Sequence, residues 1–431
     1  MFAGLDRDRA FLRTRGAVTS TSQFLSLAGS LAARLPDRPA ALNLCERRDN
    51  FLVAFTAMLM RGQVCLLPPS RVPAVVTEVM EEHPGSYVLD DATVELTRPA
   101  EPLTAASIPA IPPDRVVEIG YTSGSTGRPK ANPKTWGGFA ACTALNASRL
   151  REVLVTRGEV VLPWIVATVP SQHMYGMELS VLMPLLGGMG IHGGHPLYPA
   201  DIAAALADVP GPRILVSTPV HLRALLESGV ALPELGAVVS ATAPLPAELA
   251  TAIEQQFGTV LLEYFGSTET CIVASRRTAV DDAWDPYPGV VLQPEEDGTR
   301  VDAPWFTSAM VLQDLLEVRS DGAFTVRGRN ADMVEVAGKR ASLADLTRRL
   351  ASIPGVADAV VFQPDDVDGA KVRRLAALVV AEGITEAAVL EKLAQTVDLA
   401  FLPRPLVLVP RLPRNEVGKL PRAQLLAALK R

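Results

Sequence analysis

One short segment, Tyr121-Thr-Ser-Gly-Ser-Thr-Gly-Arg-Pro-Lys130, combines several kinds of group that bind anions. Its glycines let successive backbone N–H groups converge on one anion, its hydroxyls add donors, and Lys130 adds positive charge. The segment differs from the P-loop of nucleoside triphosphatases, because Ala131 rather than Ser or Thr follows the lysine. The spacing therefore predicts a phosphate cradle of another kind, which directly follows a strand-like run at Val116 to Ile119.

A second segment, Glu263-Tyr-Phe-Gly-Ser-Thr-Glu269, brings three different chemistries together. Phe265 offers a flat apolar face to an aromatic ring, and the hydroxyl of Thr268 is a donor for a phosphate oxygen. The carboxylate of Glu269 is a hard oxygen ligand of the type that Mg²⁺ prefers. We therefore predict that this segment works with the first one on the same nucleotide.

These segments, in this order, resemble the signature motifs of the adenylate-forming superfamily, which includes acyl-CoA and aryl-CoA synthetases, luciferases and the adenylation domains of peptide synthetases. The resemblance extends over nearly the whole chain. It implies that the first segment holds the β- and γ-phosphates of ATP through Thr122, Ser123, Gly124, Ser125, Thr126, Gly127 and Lys130. It also implies that Thr268 contacts the α-phosphate and that Glu269 is a ligand of Mg²⁺.

The same resemblance implies further nucleotide contacts. The adenine-binding residues would be Ala241, Thr242, Ala243, Glu263, Tyr264, Phe265, Gly266 and Ser267. Asp314 occupies the place of the acid that binds both ribose hydroxyls, although Leu312-Gln313 replaces the usual Thr-Gly before it. Arg329 would reach the ribose or a phosphate. The hinge acid of the family corresponds to Ala331, with Asp332 one place later, so either position is a candidate hinge.

Lys419 lies in the segment Leu412 to Arg422, which is similar to the family's C-terminal Leu-Pro-x-x-x-x-Gly-Lys-x-x-Arg motif. The resemblance implies that Lys419 is the catalytic lysine of the first half-reaction. A carboxylate that approaches an anionic α-phosphate needs a cation between them, an effect worth ~3 kcal/mol or more in a dry site.

The acid-binding residues are expected around Pro170-Ser-Gln-His-Met-Tyr-Gly176, where acyl and aryl ligases place a His or an aromatic side chain. The candidates are His173, Tyr175, Gly176, Ser217, Thr218, Pro219 and Ser240. Residues 171 to 176 contain no Asp to pair an α-amino group, which disfavours an amino acid substrate because a buried ammonium needs a counter-ion. His192 and His195 flank two glycines and are interpreted as part of a turn rather than as metal ligands.

Strand-like and helical stretches alternate from residue 24 to residue 263. They include strand-like runs at Val64 to Leu67, Tyr87 to Leu89, Val160 to Val169 and Ala237 to Ser240, and helices at 176 to 186 and 246 to 257. This alternation predicts an α/β fold with mostly parallel sheets covered by helices. After Gly322 the pattern changes to short strands and a helix at Leu343 to Leu350. We predict an N-terminal adenylation core at 1–328, and a small mobile α+β lid at 329–431.

Composition narrows the class of protein. With 48% hydrophobic and 20% charged residues, the sequence is that of a folded globular protein rather than a disordered one. The four cysteines form no C-x-x-C pattern, and the N-terminus lacks an apolar signal core, so we expect a reducing, cytoplasmic setting. The longest apolar run, Phe51 to Met60, is about half of a membrane span. We expect neither a membrane segment nor a nucleic-acid partner.

The predicted reaction joins a carboxylic acid to a thiol in two steps, through an acyl-adenylate made from MgATP. Leu42 to Phe51 and Leu66 to Arg71 resemble stand-alone ligases of aryl-polyene and xanthomonadin-type pigment pathways, which load acids of the 3-hydroxybenzoate type onto acyl carrier protein. Residues 329–431 carry 16 Lys and Arg against 12 Asp and Glu, and a basic lobe suits an acidic carrier. The alternatives are an acyl-CoA or aryl-CoA ligase, whose phosphopantetheine thiol is that of CoA, and a non-catalytic nucleotide-binding regulator.

Overall fold

A computed structural model of the chain describes residues 8–95, 109–123, 129–158, 161–295, 298–329, 333–336, 339–364, 374–397, 399–415 and 418–429. The chain forms two compact units, Met1–Asp282 with Pro304–Thr307, and Ala283–Ala303 with Ser308–Arg431. This division falls earlier than the predicted boundary at residue 329. The reason is local: the short strands of residues 298–329 pair with one another rather than with the sheets of the first unit.

The first unit contains thirteen strands among its described residues: β1 (Ala10–Thr14), β2 (Ala17–Ser20), β3 (Ala40–Asn43), β4 (Val64–Leu67), β5 (Tyr87–Leu89), β6 (Val116–Ser123), β7 (Pro129–Thr135), β8 (Trp164–Ala167), β9 (Gly190–His192), β10 (Arg213–Ser217), β11 (Ala237–Ser240), β12 (Leu261–Ser267) and β13 (Cys271–Arg276). Its helices are α1 (Thr21–Ala32), α2 (Arg48–Arg61), α3 (Pro73–Glu82), α4 (Asp91–Glu95), α5 (Trp136–Thr156), α6 (Met174–Met177), α7 (Met183–Leu186), α8 (Pro199–Asp208), α9 (Pro219–Ser228) and α10 (Ala247–Phe257).

Two sheets organise the first unit. One has the strand order β13-β12-β11-β10-β8-β9-β1-β2, and the other has the order β5-β3-β4-β6-β7. Strands β12, β11, β10, β8, β9 and β1 run parallel, as do β5, β3, β4 and β6, whereas β13, β2 and β7 pair antiparallel at the ends of these orders. The α/β class with mostly parallel sheets is thus confirmed.

The central strands are buried because both of their faces are covered. Every residue of β8 and β11 is buried, and in β10 only Arg213 is partly exposed. Helices α8, α9 and α10 place Ile202, Leu222 and Ile253 against Leu215 and Val238 of these strands. Continuous apolar runs of this kind are typical of parallel strands that are covered on both sides.

The helix predicted at 176–186 has a more complex form. It begins as α6, continues through a π-helical turn at Glu178–Leu182 and ends as α7. Pro184 has no backbone N–H to donate to the residue four places earlier, which favours an altered hydrogen-bond ring just before it. The strand predicted at Val160–Val169 is also shorter, because Pro163 and Pro170 flank β8.

The second unit contains β14 (Asp285–Pro286), β15 (Val291–Glu295), β16 (Gly298–Asp302), β17 (Met310–Leu312), β18 (Asp314–Val318), β19 (Phe324–Arg329), β20 (Met333–Val336), β21 (Lys339–Ser342), β22 (Val356–Phe362), β23 (Ala376–Ala381) and β24 (Leu406–Leu408), with helices α11 (Leu343–Ala351), α12 (Glu386–Ala394) and α13 (Arg422–Ala428) and a 3₁₀ turn at Leu399–Phe401. Strands β22, β23 and β24 form one small sheet, against which Leu350 and Leu393 pack from α11 and α12. No helix among the described residues is both long and apolar enough to cross a membrane.

Candidate active site

The predicted phosphate-binding segment lies in the hairpin of β6 and β7. Thr122 and Lys130 are paired across the hairpin, and Lys130 is exposed. Asn132 donates from Nδ2 to the carbonyl oxygens of Gly120, at 3.2 Å, and Lys130, at 3.0 Å, so it ties the two strands together at the base of the loop. Residues Gly124, Ser125, Thr126 and Gly127 and the side chain of Ser123 lie outside the part of the chain that the structure describes.

The second predicted motif follows β12 into the turn that leads to β13. Leu261 to Tyr264 are buried, whereas Phe265 to Glu269 are partly or fully exposed. Ser267 and Thr270 close the turn, since Thr270 N donates to Ser267 Oγ and Ser267 N donates to Thr270 Oγ1, both at 3.2 Å. The turn therefore presents Thr268 and Glu269 at the carboxyl end of a parallel strand, which is where open α/β sheets bind ligands.

Two buried side chains from other elements hold the backbone of this turn. Lys134 Nζ, on β7, donates to the carbonyl oxygen of Glu269. The carboxylate of Glu178 accepts from Ile272 N at 3.0 and 3.1 Å and from Asn146 Nδ2 at 3.3 Å. Burial raises the pKa of Glu178 to about 7, and these hydrogen bonds limit the rise. Sequence reasoning missed both charged residues, because their partners lie far away along the chain.

Three of the predicted residues form one row across the sheet. Ser217 and Ser240 are neighbours in register at the carboxyl ends of β10 and β11, and Glu263, the third residue of β12, is in register with Ser240. Ser217 Oγ lies 2.9 Å from Thr168 Oγ1, which follows β8. Ser240 Oγ is buried and has no hydrogen-bond partner among the described residues. The row thus offers small neutral hydroxyl groups to a ligand.

Tyr175 and Gly176 belong to the segment predicted to bind the acid. The hydroxyl of Tyr175 donates to the carbonyl oxygens of Ser217 and Val239, each at 3.1 Å, so its ring is fixed against the ends of β10 and β11. A Cβ at Gly176 would lie 1.9 Å from the carbonyl oxygen of Pro170, so only glycine fits there. His173 precedes α6 as its N-cap residue.

Two histidines also approach this edge of the sheet. His221 Nδ1 lies 3.0 Å from Thr168 Oγ1 and 3.3 Å from Thr218 Oγ1, and His195 Nε2 lies 2.9 Å from the carbonyl oxygen of Thr168. Burial lowers the pKa of both, to about 4 for His195, so His195 is neutral at pH 7. His221 escaped the sequence analysis, although its position two residues after Pro219 was a usable signal.

Glu263 has a structural role in the geometry seen here. Its Oε2 accepts from Arg276 Nε at 2.7 Å and from Thr278 Oγ1 at 2.6 Å. Burial raises the pKa of Glu263, while the ion pair with Arg276 and these hydrogen bonds oppose the rise. Among the other residues predicted to contact adenine, Ala241 is buried, and Thr242 is exposed with a left-handed backbone at φ 76°.

The second unit carries the remaining predicted residues. Asp314 and Arg329 are paired across β18 and β19, and Asp314 is 8% exposed. Lys419 is exposed and lies on a tight turn in which Gly418 has φ 80°. Arg414 braces this turn by donating to the carbonyl oxygen of Gly418 at 2.9 Å. Ala331 and Asp332, the two candidate hinge positions, lie outside the described residues.

Comparison with known families decides the class. The AMP-binding enzyme family matches residues 69–328, more than half of the chain, and the AMP-binding enzyme C-terminal domain matches residues 348–419. The chain belongs to the AMP-binding enzyme family. The resemblance inferred from the motifs is thereby confirmed at the family level, and so is the prediction of an AMP-forming acid–thiol ligase as the class of enzyme.

Several similar proteins of known name are CoA ligases of carboxylic acids. The AMP-binding enzyme is 29% identical to a 4-coumarate–CoA ligase of Halorhodospira halophila, over 69% of this chain and 73% of the relative. It is 27% identical to a 3-hydroxybenzoate/4-hydroxybenzoate–CoA ligase of Thauera aromatica, over 73% of this chain and 66% of the relative.

A solved structure supports the fold. The o-succinylbenzoate CoA synthetase of Bacillus subtilis, in complex with ATP and magnesium ion, superposes with a TM-score of 0.80 over 98% of each chain, at 20% identity. The AMP-binding enzyme therefore shares the two-part α/β architecture of that synthetase.

One further residue of the AMP-binding enzyme fixes the acid-binding segment. The guanidinium of Arg48, 1% exposed, donates to the carbonyl oxygens of Ala167 and Val169, both at 2.9 Å, and to Ser171 Oγ at 3.1 Å. It also donates to Ser180 Oγ. Burial lowers its pKa to about 9, so it is cationic at pH 7. Sequence reasoning missed Arg48, because in the first turn of an amphipathic helix an arginine usually faces solvent.

Proposed function

We propose that this AMP-binding enzyme activates a hydroxybenzoate-type acid with MgATP and transfers the acyl group to a phosphopantetheine thiol. The observation that carries the proposal is the contact between the β6–β7 hairpin and the turn after β12. Lys134 of the hairpin donates to Glu269 of the turn, and a Cβ at Gly120 would lie 3.2 Å from Thr268 Cγ2. Two separate motifs with phosphate and metal chemistry therefore share one place.

The residues present fit a magnesium-bound triphosphate. Thr122 and Thr268 supply hydroxyl donors, Lys130 is an exposed cation, and Glu269 is a partly exposed carboxylate. Mg²⁺ prefers carboxylate and phosphate oxygens and, when bound, offsets the charge of the phosphates during transfer. In this proposal Glu269 holds the metal, Thr268 orients the α-phosphate, and Lys130 with the loop of residues 122–127 binds the terminal phosphates.

The acid-binding edge supports an acid that also carries an uncharged hydroxyl group. Thr168, Ser217 and Ser240 line up hydroxyl groups there, and His221 stays neutral because burial lowers its pKa. A site that hydrogen-bonds a substrate hydroxyl rejects the analogue without it strongly, because a buried polar group is otherwise left unpaired. The similarity to a hydroxybenzoate–CoA ligase also favours such an acid.

Lys419 supplies the cation of the first half-reaction in this proposal. The carboxylate of the acid attacks the α-phosphorus of ATP, the new C–O–P bond forms, and pyrophosphate leaves. The thiol then attacks the acyl carbon, the acyl–phosphate bond breaks, and AMP leaves with the proton passing to solvent. Lys419 is exposed on an ordered turn, as a side chain that engages a ligand must be.

The acyl acceptor separates two versions of the proposal. The net positive charge of residues 329–431 favours an acidic acyl carrier protein as the partner, as in pigment biosynthesis. The names of the curated relatives favour CoA instead. A purely regulatory nucleotide-binding role is disfavoured, since Glu269 and Lys419 are both retained.

Pyrophosphate release tests the proposal. The purified enzyme is incubated with MgATP and a panel of benzoates, cinnamates and short fatty acids, and release is measured for each. We expect release to depend on the acid and to be fastest with a hydroxybenzoate. Equal rates with and without acid would refute the proposal. The best acid is then offered with CoA or with phosphopantetheinylated carrier protein, and thioester formation identifies the acceptor.

A further inference from the structure

Glu118 and Lys134 form an unusual pair inside the first unit. They are directly opposite each other on β6 and β7, and they are 0% and 7% exposed. Neither carboxylate oxygen of Glu118 has a hydrogen-bond partner among the described residues. Burying two ionisable side chains costs free energy unless they are paired or hydrogen-bonded. The hydrogen-bond partner of the Lys134 ammonium therefore indicates the role of this pair.

The ammonium of Lys134 is directed at the turn that carries Glu269. It donates to the carbonyl oxygen of Glu269, while Glu178 accepts from the N–H of Ile272 three residues later. Between these two anchors Cys271 has a left-handed backbone, φ 59°, which costs about 1 kcal/mol or more in a residue other than glycine. A strained turn keeps one shape only when its surroundings fix it, and the side chains of Lys134 and Glu178 do so.

The register of β7 explains why Lys134 points inward. Asn132 and Lys134 are the buried positions of this strand, whereas Lys130 is exposed. Asn132 ties the hairpin together and Lys134 ties the hairpin to the turn. Side chains on one face of β7 therefore connect two elements. One is β6, which precedes the phosphate loop, and the other is the turn that carries Glu269, the proposed ligand of Mg²⁺.

We propose that Lys134 is a positioning residue for Glu269, and that Glu118 is the buried carboxyl that faces it across the hairpin; this inference rests on the proposed function. Lys134 holds the main chain of Glu269 so that the carboxylate is presented to a magnesium-bound nucleotide. A charge-assisted hydrogen bond from an ammonium is stronger and shorter than one from a neutral donor, so it suits a strained turn. Lys134 itself does not touch the nucleotide.

Nucleotide binding tests this role without relying on turnover. Lys134→Met keeps the apolar stem and removes the ammonium. We expect the Kd of MgATP, measured by calorimetry, to rise at least tenfold, and the KM for MgATP to rise with it. The KM for the acid should stay within twofold of wild type. An unchanged Kd for MgATP would overturn the inference while leaving acid-dependent pyrophosphate release, and hence the proposed function, intact.

A matched control replaces Arg213, another partly buried cationic side chain of the first unit. Arg213 donates from Nε to the carbonyl oxygens of Leu206 and Val209, at 2.8 and 3.0 Å, at the amino end of β10. Arg213→Met should therefore leave the Kd of MgATP within twofold of wild type. A tenfold loss in this control as well would mean that any lost backbone anchor weakens binding, which would contradict a specific role for Lys134.

A double-mutant cycle shows whether Lys134 acts through Glu269. If it does, Lys134→Met combined with Glu269→Gln should bind MgATP no more weakly than Glu269→Gln alone. If the fold-increase in Kd of the double variant equals the product of the two single-variant increases, the two residues contribute independently, and the inference is overturned.

A second double variant replaces both buried ionisable side chains. Lys134→Met with Glu118→Gln leaves no buried ionisable carboxyl opposite the lost ammonium, so it remains informative even if Lys134→Met does not fold. We expect MgATP binding to stay weak in this variant, because the Glu269 carbonyl still lacks its partner. Recovery of wild-type affinity would show that Lys134 acts through Glu118 and not through the Glu269 carbonyl, which would overturn the inference. Wild-type protein that binds no MgATP would refute the proposed function itself.

Discussion

Asn415 and Lys419 hold each other in a reciprocal pair of hydrogen bonds. Asn415 N donates to the carbonyl oxygen of Lys419 at 2.8 Å, and Lys419 N donates to Asn415 Oδ1 at 2.8 Å. The backbone of Lys419 is therefore fixed, while the residue as a whole is exposed. This arrangement gives a cation a defined starting point without burying it.

Lys419→Ala should separate the two half-reactions. Loss of the cation is expected to slow acid-dependent pyrophosphate release by about 10²- to 10³-fold, the usual effect of removing one group that stabilises developing charge. Thioester formation from a supplied acyl-adenylate should continue at a rate near that of wild type, since the acyl–phosphate bond is already made. Both rates are followed by chromatography, and an equal loss in the two assays would contradict the assigned role.

Glu118→Gln should change how stability depends on pH. Burial raises the pKa of Glu118 to about 8 in the folded protein, above its ordinary value of 4.5. The stability that the protonated carboxyl of Glu118 contributes to the folded protein is therefore fully present below about pH 4.5 and is lost as the pH rises through 8. As the pH is raised from 5 to 8, the free energy of unfolding of the variant should increase relative to that of wild type by on the order of 2 to 4 kcal/mol.

Urea unfolding at pH 5, 6.5 and 8 measures this difference. Glu248→Gln is the matched control, because Glu248 is exposed in the first turn of α10. Its unfolding free energy should follow that of wild type at every pH. Parallel curves for Glu118→Gln and wild type would mean that the carboxyl is not held neutral by burial.

Gly176→Ala should destabilise the fold by overpacking. The new Cβ would lie 1.9 Å from a backbone oxygen, that of Pro170, so the chain has to move. We expect a loss of about 2 kcal/mol or more in the free energy of unfolding, and a raised KM for the acid, since Tyr175 is the preceding residue. Gly229→Ala is the control: with φ 63° and no atom within 4 Å, it should cost only about 1 kcal/mol.

Arg48→Met should destabilise the acid-binding segment from within. The substitution leaves the carbonyl oxygens of Ala167 and Val169 and the hydroxyl of Ser171 without their donor. Hydrogen bonds to a charged donor contribute about 1.5 to 3 kcal/mol each, so we expect a loss of at least about 3 kcal/mol. Thermal and urea unfolding both report it, and a loss below about 1 kcal/mol would show that the segment holds its shape without Arg48.

Short apolar strands were the elements most easily predicted from sequence. Val64–Leu67, Tyr87–Leu89 and Ala237–Ser240 have the predicted bounds. A short apolar run between two helices is too short for a helix of its own and is therefore best accommodated as a strand. β7 could not be recognised. Its sequence Pro-Lys-Ala-Asn-Pro-Lys-Thr contains two prolines and two lysines, and only pairing with β6 makes it a strand.

The motif residues were found from spacing, whereas the residues that hold them were not. Thr268 and Glu269 belong to a local pattern, so the sequence alone identifies them as candidates. Lys134 and Arg48 act on backbone groups that lie more than a hundred residues away along the chain. Such partners become visible only when the tertiary structure is known, since no local spacing encodes them.

All four cysteines of the chain, Cys45, Cys65, Cys142 and Cys271, are buried. A maleimide dye added to the native protein therefore has little to react with at its surface. New thiols at exposed positions, for example Glu248→Cys in the first unit and Lys392→Cys in the second, can be labelled in the otherwise wild-type background. Energy transfer between two such dyes tests whether the distance between the two units changes during turnover.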